Sequence, residues 1–264
     1  MGFKSYLEEF KILRGIYAIL VVLLGAYLSD HLNLLALLKI LAIFFAWEYT
    51  SLLNNWYDRK IDEKLGKKRK CLKRLKKKGY WIMIIFFFLA SFFCSLPFFP
   101  LGTSLILVSL FLGTIYSAPP LRLRKYIFSS CFIGAGTVIA LALGMLPFKH
   151  FTFLLPIFLI AFLSVSVGTV IRDIESYEVD KKLGIKTIFT IFGKKNGKKI
   201  SALLLFISFI FPIPFFSQLY YILILIGIVA TWLFCRTENY KIVMLPVMIV
   251  FLSCALYLKQ NIYS

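Results

Sequence analysis

Seven of the twelve acidic residues in this 264-residue chain fall in two short stretches. One reads NNWYDRKIDE and holds Asp58, Asp62 and Glu63; the other reads RDIESYEVD and holds Asp173, Glu175, Glu178 and Asp180. Both lie among lysines and arginines. Carboxylates are hard oxygen ligands that suit Mg2+, which is usually shared between a few protein carboxylates and phosphate oxygens. Cationic side chains nearby could take the outer oxygens of a polyanion. Metal-bridged stabilisation of this kind is what a diphosphate leaving group needs. Asn54, Asp58 and Asp62 are four apart, so a continuous helix stacks them on one face. Asp173, Ser176 and Asp180 are three and four apart, and the same argument applies. Two such faces across a bundle could hold metal between them.

The elements that must position these residues are membrane helices. The chain is 60% hydrophobic with a mean hydropathy of +0.85, well above a soluble domain. Several apolar runs reach the roughly 20 residues that span a bilayer. We read nine spans, near 12–29, 33–54, 79–98, 100–117, 127–147, 151–171, 197–215, 217–235 and 241–258. The expected class is an all-α polytopic membrane protein, nine helices in one bundle. The links alternate in charge. Twelve Lys and Arg lie between Arg59 and Lys78, three between Arg122 and Lys125, and seven lysines between Lys181 and Lys199. The intervening short links carry Lys149 as their one Lys or Arg. The positive-inside rule then puts the N-terminus, the basic links and both acidic stretches on the cytoplasmic face, and the C-terminus outside.

The formal charge of +19 therefore reads as topology and attraction to anionic lipid, not as nucleic-acid binding. The five cysteines lie far apart, without metal-ligand spacing. No cleavable signal peptide is expected, since the first apolar run leads straight into further runs. Glu48 lies inside the second span. An intramembrane carboxylate is expensive and is by default a functional candidate, here as a proton acceptor facing a cavity, against the alternative of a hydrogen-bonded packing residue. For the acidic stretches the competing reading is solvated loop charge; two of them at helical spacing on one face favour a site.

These stretches resemble a known family. NNWYDRKID looks like the N-D-x-x-D-x-x-x-D motif of the UbiA-type intramembrane prenyltransferases. RDIESYEVDKKLGIKTIFTIFG looks like that family's second acidic motif with its G-x-x-T tail, and YSAPPLRLR resembles its segment at the end of the fourth span. The resemblance covers essentially the whole chain, 1–264, as one transmembrane domain with motifs at 54–62, 116–124 and 173–180 and a basic loop at 63–78. It implies Mg2+-dependent transfer of a polyprenyl group from an allylic diphosphate to a lipophilic acceptor, with release of diphosphate. The acceptor could be an aromatic ring, a tetrapyrrole or a glycerol-phosphate lipid.

Residue by residue, the resemblance implies that Asn54, Asp58 and Asp62 hold one Mg2+, and that Asp180 with Asp173 holds a second. Tyr116 would stabilise the allylic cation. Arg122 and Arg124 would approach the diphosphate, joined by Arg14, Arg69, Arg172 and Lys181 as basic residues of the substrate site. Glu48 is the candidate base. Two positions depart from the pattern. Asn55 stands where the family usually has Asp; it is expected off the Asp58–Asp62 face and so tolerant. Ser176 replaces the first Asp of the pair ending at Asp180, which removes one charge from the second metal site. That substitution keeps a second reading open, a catalytically weakened isoprenoid-binding relative. A secondary transporter is a third; it would carry its site near the midplane on broken helices.

Overall fold

The computed structural model describes residues 12–64, 77–148, 151–215, 220–237 and 239–263. Arg69 and most of the basic loop lie outside the described residues, as do the side chains of Arg14 and Asp62. The described chain is helical: α1 (Ile12–Leu28), α2 (Leu34–Lys64), α3 (Lys77–Ser95), α4 (Leu101–Ser117), α5 (Ser129–Met145), α6 (Phe151–Arg172), the short α7 (Tyr177–Lys182), α8 (Ile188–Ile210), α9 (Tyr220–Thr237) and α10 (Tyr240–Tyr263). A helix lies over each of the nine spans read from the sequence. Four of the described helices, α2, α3, α6 and α8, are both long and apolar enough to cross a membrane, and five shorter ones are also apolar.

The distribution of polarity is that of a chain in lipid. Large apolar side chains point outward along whole helix faces, such as Leu225, Ile228 and Trp232 on α9 and Leu245, Ile249 and Leu256 on α10. Charged groups instead are buried at Lys39, Glu48, Asp58 and Asp180. With hydrocarbon as solvent, apolar surface loses nothing by exposure, whereas a charge must find protein partners.

Two compact units make up the structure. The first comprises Met1–Leu123 with Ile139–Phe148; the second comprises Arg124–Val138 with Lys149–Ser264. In the first, α2 is the centre and packs against α1, α3 and α4. Small residues allow close approach: a Cβ on Gly25 would meet the Leu141 carbonyl at 2.4 Å, and one on Gly144 would meet that of Val22 at 2.2 Å. Such contacts stand in for the hydrophobic driving force that lipid does not supply. Lys39, 3% exposed, donates from Nζ to the carbonyls of Gly144 (3.2 Å) and Leu146 (2.5 Å) at the end of α5. A cation there satisfies carbonyls that the helix leaves open and complements its dipole.

In the second unit α8 packs against α6 and α9, and α10 against α6 and α9. The sequence places the seventh span at 197–215, but α8 begins at Ile188 and breaks at Gly193 (φ 77, ψ 159). Its early start has a local cause. Thr187 caps the helix: its Oγ1 accepts from Thr190 N at 3.2 Å, and Thr190 Oγ1 accepts from Thr187 N at 2.7 Å. This reciprocal capping box anchors a first turn that hydropathy alone does not mark.

Candidate functional site

The first acidic motif ends α2. This helix runs 31 residues, so a span of ~20 residues is used up by about the point where the motif begins at Asn54. Asp58 is 4% exposed and Asn55 is 1% exposed, while Asn54 is half-buried. The expectation that Asn55 stands off the Asp58 face is therefore corrected. At about 100° per residue, Asp58 and Asp62 lie about 40° and 80° around the helix from Asn54, and Asn55 about 100°. Asn55 thus turns inward with Asp58.

Asp58 is held by Arg122. The guanidinium Nη2 donates to Asp58 Oδ1 at 2.6 Å and lies 3.4 Å from the Tyr57 carbonyl. Arg122 follows α4 in a left-handed backbone conformation, φ 43, which costs a side-chain-bearing residue about 1 kcal/mol. A charge-assisted bond to a buried carboxylate offsets that. The neighbour Arg59 looks the other way, 4.2 Å over the ring of Trp56, which stacks on Tyr80 at 5.3 Å. Tyr80 in turn donates to the Leu52 carbonyl at 3.0 Å. An aromatic anchor on the outer side of α2 thereby fixes the helix rotation that points Asp58 inward.

Nearly three turns from Asp58 on the same helix, Glu48 is completely buried. The backbone of α1 comes close to it, since a Cβ on Gly15 would stand 3.5 Å from Glu48 Oε1. Tyr49 and Thr114 share a hydrogen bond of 2.7 Å between α2 and α4, and Gly113 leaves room for Thr50. These contacts seat the end of α4, where Tyr116 is half-buried.

The second motif is built differently. A continuous helix through Asp173, Ser176 and Asp180 was the sequence expectation. Instead α6 stops at Arg172, residues 173–176 turn, and α7 restarts at Tyr177. Three and four residue spacings still bring the groups together. Ser176 Oγ donates to Asp180 Oδ2 at 2.5 Å and lies 3.2 Å from the Asp173 carbonyl. Asp180 is 8% exposed. Desolvation pushes the carboxyl of half-buried Asp173 up to about 7; Arg172 opposes this, Asp180 adds to it, and Arg124 opposes it.

The G-x-x-T tail secures this turn. Gly184 takes φ 66 beyond α7, where the Ile185 amide donates to the Asp180 carbonyl at 2.9 Å and the Lys186 amide to the Lys125 carbonyl at 2.9 Å. Thr187 then caps α8. Glu175 and Glu178 are exposed, as is Lys181, whose Nζ sits 5.8 Å over the Tyr177 ring.

Within the first unit, then, Asn54, Asn55, Asp58 and Arg122 come together; within the second, Arg124, Arg172, Asp173, Ser176 and Asp180 do. Three features escaped the sequence reading. These are the inward Asn55, the Arg122–Asp58 pair and the buried Lys39. The first was available from helical angles, the others only from folding.

Whether these donors suit a metal can be judged from their chemistry. Among the described residues, no three His, Cys, Asp or Glu side chains converge. What each unit offers is one or two carboxylates with an amide or hydroxyl oxygen beside them. Such a sparse, hard set fits Mg2+, which retains waters and shares phosphate oxygens, and does not fit zinc or copper.

Residues 16–255 match the model of the UbiA prenyltransferase family. A digeranylgeranylglyceryl phosphate synthase from Methanosphaera stadtmanae is 27% identical over 234 residues, 86% of this chain and 83% of that one. A 2-acylphloroglucinol 4-prenyltransferase from Humulus lupulus is 27% identical over 75% of this chain and 52% of its own. Two solved structures share the fold. One is described as a digeranylgeranylglyceryl phosphate synthase in membranes, with a TM-score of 0.73, 20% identity, and coverage of 97% of this chain and 96% of that one. The other is a UbiA homolog from Archaeoglobus fulgidus bound to DMAPP and Mg2+, with a TM-score of 0.69, 18% identity, and coverage of 94% and 97%. A helical membrane fold, two acidic motifs in order with one buried aspartate in each and a family match over most of the sequence lead to one statement: this chain belongs to the UbiA prenyltransferase family of integral membrane proteins.

Proposed function

We propose that this protein transfers a polyprenyl group from an allylic diphosphate to a lipophilic acceptor, with Mg2+ bound through both acidic motifs. The observation that carries the reading is selective burial. Among the described residues the buried carboxylates are Glu48, Asp58 and Asp180, and two of these lie one in each motif. Asn54, Asp58 and Asp62 would hold one metal ion, and Asp173, Asp180 and the Ser176 hydroxyl a second. Bound there, Mg2+ would supply charge neutralisation for the departing diphosphate.

The remaining roles belong to the chain's own side chains. Arg122 is paired with Asp58, and its guanidinium would turn to phosphate oxygens once a metal ion takes its place there. Arg124 and Arg172, beside Asp173, would bind phosphate oxygens, and Arg14, Arg69 and Lys181 are further basic candidates for that role. The Tyr116 ring would face the allylic carbon and stabilise its developing charge through its π cloud. Glu48 would accept the acceptor's proton.

For the acceptor, a glycerol-phosphate lipid is our first choice. It is what the name of the relative matching most of both chains implies, and the basic surround of both motifs suits a phosphorylated acceptor. An aromatic ring is the second choice, supported by the shorter match to the phloroglucinol prenyltransferase. On the positive-inside rule, the N-terminus and the acidic motifs face the cytoplasm and the C-terminus lies outside. Purified protein incubated with Mg2+, prenyl diphosphates of several lengths and a panel of acceptors tests the reading. A product whose mass equals acceptor plus prenyl supports it; diphosphate-independent flux across sealed vesicles would replace it with a transporter.

A further inference from the structure

One feature of the second unit lies outside both acidic motifs. Lys194, Lys195, Lys198 and Lys199 of α8, with Cys235 of α9, line a cleft of about 410 Å³. The break at Gly193 restarts the helix just before them, with a backbone φ of 77 that a side chain would strain. Gly197 is buried between the two lysine pairs. A Cβ there would meet Phe189 Cα at 2.8 Å, so the preceding turn packs hard against this side of the helix. The lysines are thereby gathered on the remaining surface at spacings of one, four and five residues, one helical face. Glu238 is the one acid near this end of α9 in sequence; four lysines outweigh it, and Arg236 adds to them.

The cleft stands where polar surface gives way to apolar. Arg236 lies 5.5 Å from the Trp232 ring, a pairing suited to the membrane–water boundary. One or two turns further along, α8 exposes Leu203 and Ile207, and α9 exposes Ile228 and Val229. Lysines that merely mark topology need only flank a helix. Here they wall a cavity large enough for a phosphate headgroup, with apolar ridges below it to carry acyl chains.

We propose that this cleft binds the phosphate headgroup of an anionic membrane phospholipid. Each lysine near a negatively charged lipid surface contributes to attraction, and four converging on one cavity convert a diffuse field into a site. No covalent step is involved.

Native mass spectrometry of the purified full chain, titrated with phosphatidylglycerol and phosphatidylcholine, tests this. The expected result is tight retention of phosphatidylglycerol, falling about tenfold or more in a variant carrying Lys194→Gln, Lys195→Gln, Lys198→Gln and Lys199→Gln. A charge-matched control with Lys67→Gln, Lys68→Gln, Lys73→Gln and Lys76→Gln should retain the lipid. Equal loss in both variants, or loss in neither, would show topological charge only and overturn the site. Displacement of the lipid by equal concentrations of inorganic phosphate would also overturn it, in favour of a soluble phosphate. Should the cleft variant fail to fold, the wild-type protein still decides. Maleimide labelling of Cys235, followed by peptide mass, should be slowed in phosphatidylglycerol nanodiscs relative to phosphatidylcholine; equal rates would count against the proposal.

Discussion

The two acidic motifs keep a buried carboxylate by different means. Asp58 is matched by a cation, with the Arg122 guanidinium 2.6 Å away. Asp180 is matched by a neutral hydroxyl, Ser176 at 2.5 Å, with a second acid nearby in Asp173. The first pairs its buried acid with an arginine and projects it from one unbroken helix. The second pairs its buried acid with a hydroxyl on a short helix, with Asp173 on the turn before it and Arg172 and Arg124 acting on that neighbour. A divalent cation would therefore compete with Arg122 at the first motif, whereas at the second it would relieve the repulsion between Asp173 and Asp180. The contrast teaches that an acidic motif's affinity for metal depends on what holds it without metal, not on its count of carboxylates.

Removing the buried acid of either motif should have the largest effect and should erase the contrast. Asp58→Ala and Asp180→Ala are each expected to lower Mg2+-dependent prenyl transfer by about 100-fold or more, the usual scale for losing one electrostatic stabiliser; steady-state rates in detergent measure it. Arg122→Gln sharpens the comparison. It should strengthen Mg2+ binding measured calorimetrically without diphosphate, yet weaken prenyl diphosphate binding by about tenfold. The same variant leaves Asp58 buried without its cation, so the metal-free protein should melt earlier by the equivalent of about 2 kcal/mol, and Mg2+ should restore much of the loss. Weaker Mg2+ binding in Arg122→Gln would remove the competitor from the account.

At the second motif the changes should be smaller. Ser176→Ala removes a hydrogen bond to a carboxylate, worth ~1.5–3 kcal/mol, and should raise the Mg2+ concentration needed for half-maximal rate by about three- to tenfold. Ser176→Asp adds the carboxylate that the motif resemblance implies there and should lower it below wild type. Wild-type protein that binds isoprenoid lipid without releasing diphosphate, with release restored by Ser176→Asp, would support the catalytically weakened reading. Smallest is Gly184→Ala, where a side chain at φ 66 costs about 1 kcal/mol; thermal melting should register it with little change in rate.

The helices and the two acids were legible in sequence because burial of charge in apolar runs is conspicuous. Asp58, Asp180 and Glu48 all stood out by type and place, and all are buried. What was hidden falls into two kinds. The inward turn of Asn55 and the break at 173–176 are local, yet no Pro or Gly marks the break, and its hydrogen bonds are turn bonds from Ile174 N to the Ile171 carbonyl, from Glu175 N to the Arg172 carbonyl and from the Ser176 hydroxyl to the Asp173 carbonyl. Lys39 and Arg122 are non-local. Lys39 finds its carbonyls 105 and 107 residues away, and Arg122 finds Asp58 64 residues away. A charge in an apolar helix announces that it has a partner, but not which one. The start of α8 at Ile188 was missed for a third reason. Capping by Thr187 and Thr190 sets that end, whereas hydropathy begins to rise only after the lysines.

The central claim is that both motifs serve one Mg2+-dependent transfer. Its most direct test is product formation by purified wild-type, Asp58→Ala and Asp180→Ala protein, each with prenyl diphosphate, acceptor and a Mg2+ series. The account predicts a prenylated product from wild type that disappears with chelator, and loss of about 100-fold or more in both variants. Wild-type rates from either variant at saturating Mg2+ would contradict it.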